Sequence, residues 1–348
     1  MSIKLIQGDL LKQLDVDVIV NTVNCVGVMG KGIALQFKKK WPENYKLYAK
    51  ACKDKQVSIG KMFVYDAGAL ATPKYIINFP TKDHWRGNSK VEYITTGLVD
   101  LIHQIKELQI KSIAIPPLGC GNGGLEWDVV KDLIYKAFEE IPNVEVYLFE
   151  PSGTPAAKTM EVRTSRPRMT AGRAALLKAL ETYRSLNYGL SKLEVQKLAY
   201  FLQEAGEDLK LQFVQHTYGP YAESLRHALD RMDGHFIFGL GDGVVESEIA
   251  PSESALQEAN EFIRQSGNED LLERINRLAS LIEGYQSLYG MELLSTVHWV
   301  VSQHGAKNKD AAIEAVHQWS GRKKNLMKPE HIAVAWNHLE AENWICAV

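Results

Sequence analysis

The sequence has only four cysteines in 348 residues, Cys25, Cys52, Cys120 and Cys346, and no two of them form a CxxC pair. That scatter argues against a disulfide framework and a zinc knuckle and suits a reducing compartment, so a cytoplasmic protein is expected. No apolar run approaches the roughly 18 residues needed to cross a bilayer, so no membrane partner is expected. The N-terminus runs directly into the β-rich Ile3-Lys4-Leu5-Ile6 and the turn Gln7-Gly8-Asp9, without the pattern of a signal peptide. There is no internal repeat, no low-complexity tract, no Walker-type phosphate loop, and no clustered His/Cys/carboxylate set that would imply a metal. Neither sign of charge dominates, with 40 Lys/Arg against 42 Asp/Glu.

What is present is a globular composition, 45% hydrophobic and 24% charged, in a chain long enough for two domains. The charge is unevenly placed. Residues 1–150 carry 19 Lys/Arg and 17 Asp/Glu, residues 151–184 carry 7 and 2, and residues 185–348 carry 14 and 23. A near-neutral part, a basic joint and an acidic part point to different partners for the two halves.

Over residues 1–150, short β-rich runs (Ile3–Ile6, Val16–Val20, Met62–Tyr65, Tyr75–Phe79, Ile113–Pro116, Val144–Phe149) alternate with helical patterns at Gly32–Cys52, Val91–Leu108 and Trp127–Glu140. Ile33, Phe37 and Trp41 fall on one helical stripe. Such alternation predicts an α/β domain with a parallel or mixed sheet between helices. Glu150 to Gly172 breaks the rhythm with prolines and with Arg163, Arg166 and Arg168, and reads as a linker. Beyond it helices are expected at Ala174–Leu186, Lys192–Ala205, Tyr221–Met232, Ser254–Gln265, Glu269–Tyr289, Met291–Gln303, Lys309–Gln318 and Pro329–Glu342. Ser254 and Pro329 are expected at helix starts, and Gly206 and Gly290 as stops. The domains expected are 1–152, a basic linker 153–172, and a mainly α-helical domain 173–348.

Chemistry-bearing residues gather where strands of the first domain end. Gly8-Asp9-Leu10 follows the first strand; its carboxylate either accepts from an adenine amine or caps the next turn. Asn21-Thr22-Val23-Asn24 follows the second; its amides either bind sugar hydroxyls or water, or form a turn. Gly27-Val28-Met29-Gly30-Lys31-Gly32 leads into a helix, where backbone N–H groups can meet a phosphate. Gly119, Gly121 and Gly124 formally satisfy GxGxxG, but near the end of the sheet instead of in the first strand-to-helix turn, which argues against a dinucleotide fold. Lys82, just past an apolar run with Trp85 and Arg86 close behind, is either an exposed charge or a nucleophile. Together these loops describe a cleft for a diphosphate flanked by sugars.

In Gly8-Asp9-Leu10, Val20 to Asn24, Gly27 to Phe37, Asn78 to Arg86 and Pro117 to Gly121, the chain resembles the macrodomains. More narrowly it resembles the DNA ADP-ribosyl glycohydrolases that act as antitoxins of DarT–DarG toxin–antitoxin pairs. The similarity covers residues 1–150 and implies a three-layer αβα fold that binds ADP-ribose. It implies an enzyme, without a cofactor, that reverses toxin modification of ADP-ribosylated single-stranded DNA by hydrolysing the N-glycosidic link to thymidine. By the same resemblance Gly8, Asp9 and Leu10 would hold the adenine. Thr22, Val23, Asn24, Gly30, Lys31, Gly32, Ile33, Ala34, Leu35, Thr81, Leu118, Gly119, Cys120, Gly121, Asn122 and Gly123 would line the rest of the ligand. Lys82, its pKa lowered by burial and by Arg86, would be the catalytic nucleophile. Asn21 would touch the distal ribose near its anomeric carbon, and the water that completes the reaction would be held near it. Trp85 and Arg86 would face the DNA, although a packed rim residue is an equal reading of Trp85. A lysine-dependent branch of macrodomains carries an aspartate where this chain has Gly123, so the step that releases the product needs another group or a water. The alternatives are a macrodomain that only reads ADP-ribose, with steric neutralisation of the toxin, and a hydrolase of protein-linked ADP-ribose.

Leu190 to Gly206, with Phe213 and His216-Thr217-Tyr218-Gly219-Pro220-Tyr221, resembles the helical domain of SocA-like (Panacea) antitoxins. That resemblance implies direct binding of a cognate DarT-type ADP-ribosyltransferase toxin, for which the acidic balance is suited, although charge alone equally describes an ordinary solvated acidic surface.

Overall fold

The structure, a computed structural model, describes residues 2–13, 15–152, 160–184, 190–240 and 248–345. It divides into two compact units, the first over Met1–Ser165 and the second from Arg166 onward.

The first unit is built on a six-stranded sheet of order β1-β6-β5-β2-β4-β3, from β1 (Ser2–Ile6), β2 (Val18–Asn24), β3 (Phe63–Asp66), β4 (Tyr75–Lys82), β5 (Ser112–Ile115) and β6 (Glu145–Phe149). All neighbours pair parallel except β3, which runs antiparallel to β4. Its helices are α1 (Gly32–Lys40), α2 (Pro42–Lys53), α3 (Val91–Glu107) and α4 (Trp127–Phe138). Alternation along the strands sends side chains to opposite faces. Val18, Val20, Ile77, Phe79, Ile113 and Ile115 pack with Ile94, Leu98, Leu101, Ile102, Val130 and Ile134 of α3 and α4. Ile19, Ile76 and Ala114 face the other way, against Phe37 of α1 and Leu10 and Leu11 of a 3-10 turn. The result is the expected three-layer αβα sandwich with a mixed sheet.

The helix expected over Gly32–Cys52 is two helices, because Pro42 opens α2 and holds Trp41 (φ −127°) out of helical geometry. The strands at the centre run further than expected: β2 reaches Asn24 and β4 reaches Lys82, so Lys82 is the last residue of its strand instead of lying past it.

Part of the stretch expected as a linker, 153–159, lies outside the described residues. Of the rest, Met160 is buried, Glu161 pairs with Lys40 at 2.8 Å, and Arg163 N donates to Lys39 O at 2.9 Å, so 160–163 adheres to the first unit. Arg166 belongs to the second unit, paired with Glu258.

The second unit is mainly helical: α5 (Ala171–Arg184), α6 (Lys192–Glu204), α7 (Glu223–Met232), α8 (Glu253–Ser266), α9 (Glu269–Ile282), α10 (Leu288–Ser302), α11 (Lys309–Trp319), α12 (Gly321–Leu326) and α13 (Pro329–Ala341). Residues 185 and 186 of the helix expected over Ala174–Leu186 lie outside the described residues. The helix expected over Glu269–Tyr289 ends early at Gly284 (φ +78°), and Gly290 sits inside the first turn of α10 instead of stopping a helix. Ser252, not Ser254, caps α8, accepting from Ala255 N at 3.1 Å. The hairpin β7 (Val214–His216) and β8 (Gly219–Tyr221), the short pair β9 (Ile237–Phe238) and β10 (Ala250–Pro251), and α12 were not expected.

Under that hairpin lies a buried charged cluster. The Glu292 carboxylate accepts from Arg322 at 2.6 Å and from Lys323 Nζ at 2.7 Å. Lys197 Nζ donates to Pro220 O at 2.6 Å. Burial alone would raise the Glu292 carboxyl, but the bonds from Arg322 and Lys323 hold it below its ordinary value. Burial, reinforced by Lys323, brings Lys197 down to about 7.

Candidate active site

Strands β1, β6, β5, β2 and β4 all run parallel, so their C-terminal ends open on one edge of the sheet. The loop after β2 leads to α1 on one face, whereas the loop after its neighbour β5 leads to α4 on the other. Adjacent strands whose connections part to opposite faces leave a crevice between them, which is where open α/β sheets hold ligands. Both glycine loops flank that crevice.

The first loop is folded by Asn24. Its Oδ1 accepts from Val26 N at 3.0 Å and Val28 N at 3.3 Å, and its Nδ2 donates to Val28 O at 2.6 Å. The turn-forming reading therefore describes Asn24 better than the sugar-binding one. Gly32 (φ +57°) opens α1, and a β-carbon there would stand 3.1 Å from Asn122 Nδ2 of the second loop. The two loops thus meet at Gly32 and Asn122.

Gly123 explains the missing aspartate. A β-carbon at this position would stand 2.2 Å from Gly119 O and 2.3 Å from Ser89 Oγ, so the loop admits no side chain without moving backbone. Ser89 N donates to Gly123 O at 3.0 Å, and Leu125 N to Gly119 O at 3.1 Å, which hold the loop in this form. Ser89 Oγ, buried here and without a hydrogen-bond partner, was not singled out from the sequence, where it is one serine among polar neighbours.

Lys82, half-buried at the end of β4, donates from Nζ to the carbonyl of Asn122 and so bridges to the second glycine loop. Burial lowers its pKa, favouring the neutral amine. Arg86, expected to assist that shift, is not its cause; the guanidinium lies over the Trp85 ring, 4.6 Å from the centroid. The cysteines beside the crevice are poor nucleophiles: burial, then Asp83, pushes Cys25 up to about 11, and burial, then Glu126, does the same to Cys120.

Asn21 stands apart from Lys82. It is fully buried and lies opposite Asn78 in the β2–β4 register, whereas Lys82 lies opposite Asn24. Three residues of strand separate them, about 10 Å. Its Nδ2 donates to Asn78 Oδ1 at 2.9 Å, and Asn78 Nδ2 donates to Asn44 Oδ1 at 2.7 Å. The Asn21 Oδ1 is left without a hydrogen-bond partner; Asn44 and Asn78, which order the amide, were not assigned roles because the contact joins distant segments.

At the opposite end of the crevice Asp9 Oδ1 caps the 3-10 turn, accepting from Leu11 N at 3.0 Å. A concavity lined by Gln7, Trp127, Glu150, Pro151 and Ser152 opens beside the ends of β1 and β6. The remaining expected residues divide by burial. Gly8, Gly30, Lys31, Gly121 and Asn122 are exposed, and Thr22, Gly32, Ile33, Ala34 and Cys120 are half-buried. Leu10, Val23, Leu35, Thr81 and Leu118 are buried. Trp85 is 46% exposed, with the exposed Val26 and Val28 on the neighbouring loop tied to its own by Cys25 N and Asp83 O at 3.1 Å. Arg86 and His84 flank the ring, with close to half of Trp85 open to solvent.

Among the described residues no group of three or more His, Cys, Asp or Glu could hold a metal, and no helix is long and apolar enough to cross a membrane.

The macro domain family model matches residues 20–134. The DNA ADP-ribosyl glycohydrolase of Thermus aquaticus is 48% identical over 337 residues, 97% of this chain and 92% of its own length. That of Mycobacterium tuberculosis is 44% identical over 346 residues, 95% of this chain and 97% of its own. A DNA ADP-ribosyl transferase–DNA ADP-ribosyl glycohydrolase fusion protein of Thermosipho africanus is 35% identical over 164 residues, 42% of each chain.

Proposed function

Because the chain belongs to the DNA ADP-ribosyl glycohydrolases, we propose that its β-sheet edge cleft removes ADP-ribose from thymidine in single-stranded DNA, with Lys82 as nucleophile. It is a hydrolase, and the antitoxin of a toxin–antitoxin pair. The observation that carries the mechanism is Lys82, lowered in pKa by burial and anchored to the second glycine loop.

The diphosphate would lie between the two glycine loops, with the α1 N-terminus facing it. The adenine would reach the concavity near Asp9, Glu150 and Ser152. Binding energy from these remote parts would hold C1″ of the distal ribose against Nζ. The neutral amine attacks C1″, a C–N bond to Lys82 forms, and the C1″–thymine bond breaks as thymine leaves and takes up a proton. The lysine adduct opens its ribose ring to a protonated imine. Water then adds to C1″, the bond to Lys82 breaks, and ADP-ribose departs with the amine restored. With no acid at Gly123, the water must be ordered by backbone and by uncharged groups of the cleft.

Trp85, with Arg86 on its ring, offers a stacking surface for unpaired bases next to the modified thymidine. The second unit, with its acidic balance, would bind a DarT-type transferase directly. The fusion of both activities in one Thermosipho chain supports such a pairing. The proposed place of action is the cytoplasm, where the DNA lies.

The test is reduction by borohydride during turnover on a thymidine-ADP-ribosylated oligonucleotide. Trapping of ADP-ribose on Lys82 is the expected result. Turnover without trapping, together with an active Lys82→Arg variant, would remove the covalent route. ADP-ribose binding without turnover would leave a reader of ADP-ribose.

A further inference from the structure

The buried amides beneath the crevice form a chain of fixed polarity that starts at a backbone carbonyl. Phe63 on β3 lies opposite Asn78 on β4, and its C=O accepts from Asn78 Nδ2 at 3.3 Å. A carbonyl cannot donate, so this contact fixes which end of the Asn78 amide carries the hydrogens. The same Nδ2 donates to Asn44 Oδ1 at 2.7 Å, and Asn44 Nδ2 lies 3.4 Å from Asn78 Oδ1. Asn78 Oδ1 is thereby turned toward β2, where it accepts from Asn21 Nδ2 at 2.9 Å. All three asparagines are fully buried.

The last member of the chain ends in an unmet acceptor. Asn21 Oδ1 is buried and has no hydrogen-bond partner, a state that buried polar atoms rarely keep. With Nδ2 turned to β4, the planar amide directs its oxygen away from that strand. Met29 Sδ of the first glycine loop lies 3.9 Å from Nδ2. A methionine side chain rearranges readily, so it can yield to a ligand.

We propose that Asn44 and Asn78 are positioning residues which lock the Asn21 amide so that it presents a carbonyl oxygen, and no N–H, to a hydroxyl of the ribose at the scissile bond. This rests on the reading of the cleft as an ADP-ribose site. The locked polarity selects for a ligand group that donates a hydrogen at this point, and it spares the amide from turning over during catalysis.

The decisive variant is Asn21→Asp. When protonated, the acid donates to Asn78 Oδ1 and still presents a C=O, which reproduces the asparagine. When ionised, it sets an acceptor against an acceptor. Burial and the facing Asn78 oxygen both raise this carboxyl. The ratio of variant to wild-type kcat, measured on ADP-ribosylated oligonucleotide from about pH 5 to about pH 8, is therefore expected to be highest at the acid end and to fall about 10-fold per unit above the raised pKa. Asn44→Leu is expected to lower kcat by roughly 10- to 100-fold, with a smaller change in KM. A pH-independent ratio for Asn21→Asp, or full kcat in Asn44→Leu, would overturn the proposal. If Asn44→Leu does not fold, the pH ratio decides alone. If the wild type releases no ADP-ribose from DNA, the substrate reading fails instead. The same pH profile, read on ADP-ribose affinity by calorimetry, then tests the amide chain separately.

Discussion

Placing an aspartate at Gly123 should damage the site rather than supply an acid to it. A β-carbon there meets Gly119 O at 2.2 Å, Gly119 C at 2.9 Å and Ser89 Oγ at 2.3 Å, and the first two are backbone. Ordinary contact requires a separation about 1 Å larger, so the loop must open. Opening breaks Leu125 N to Gly119 O and Ser89 N to Gly123 O. At roughly 0.5–1.5 kcal/mol each, the loss of these bonds costs about 1–3 kcal/mol. The Lys82–Asn122 bridge is displaced with them. Loop amides that would face the diphosphate move too, and one lost bond to a charged group, about 1.5–3 kcal/mol, weakens ADP-ribose binding by roughly 10- to 100-fold. Calorimetric titration of Gly123→Asp with ADP-ribose, beside urea unfolding of the same protein, reads both quantities. Unchanged affinity and unchanged stability would refute the reasoning, and would mean that the loop accepts an acid at no cost.

Three further outcomes are expected. Because burial lowers the Lys82 pKa and the neutral amine is the nucleophile, kcat should rise with pH up to that lowered value and level off above it; a rate that falls over the same range would contradict the role. Trp85→Ala should raise KM for modified oligonucleotide by an amount equivalent to about 1–3 kcal/mol, while leaving the affinity for free ADP-ribose as it is, since the ring stands on the rim. In the second unit Lys197 is at about 7 when folded against an ordinary 10.5, so between those values the unfolded chain holds one more proton and stability rises with pH. Thermal unfolding of the full chain should show that rise, with a flatter slope in Lys197→Met.

The parts of this fold legible in the sequence are those written in local pattern. Alternating apolar runs announced the sheet, and Gly27 to Gly32 and Gly119 to Gly124 announced the loops at its edge. Pro42 carries the break between α1 and α2, which the continuous stripe of Ile33, Phe37 and Trp41 masks. The apolar run ends at Phe79, which put Lys82 past its strand, yet β2 beside it extends the ladder through Pro80 and Thr81 to Lys82. The amide chain from Phe63 through Asn78 to Asn21 was not legible, because its members come from three separate strands and a helix. The obligation for glycine at 123 has the same cause: it is set by Gly119 O and by Ser89, which only the folded chain brings against it.

The most direct measurement is release of ADP-ribose from thymidine-ADP-ribosylated single-stranded DNA by the wild type and by Lys82→Ala, with ADP-ribose affinity determined for both. Release by the wild type, loss of release in the variant and retained affinity are the results predicted by catalysis through Lys82. Release by Lys82→Ala at the wild-type rate would contradict it.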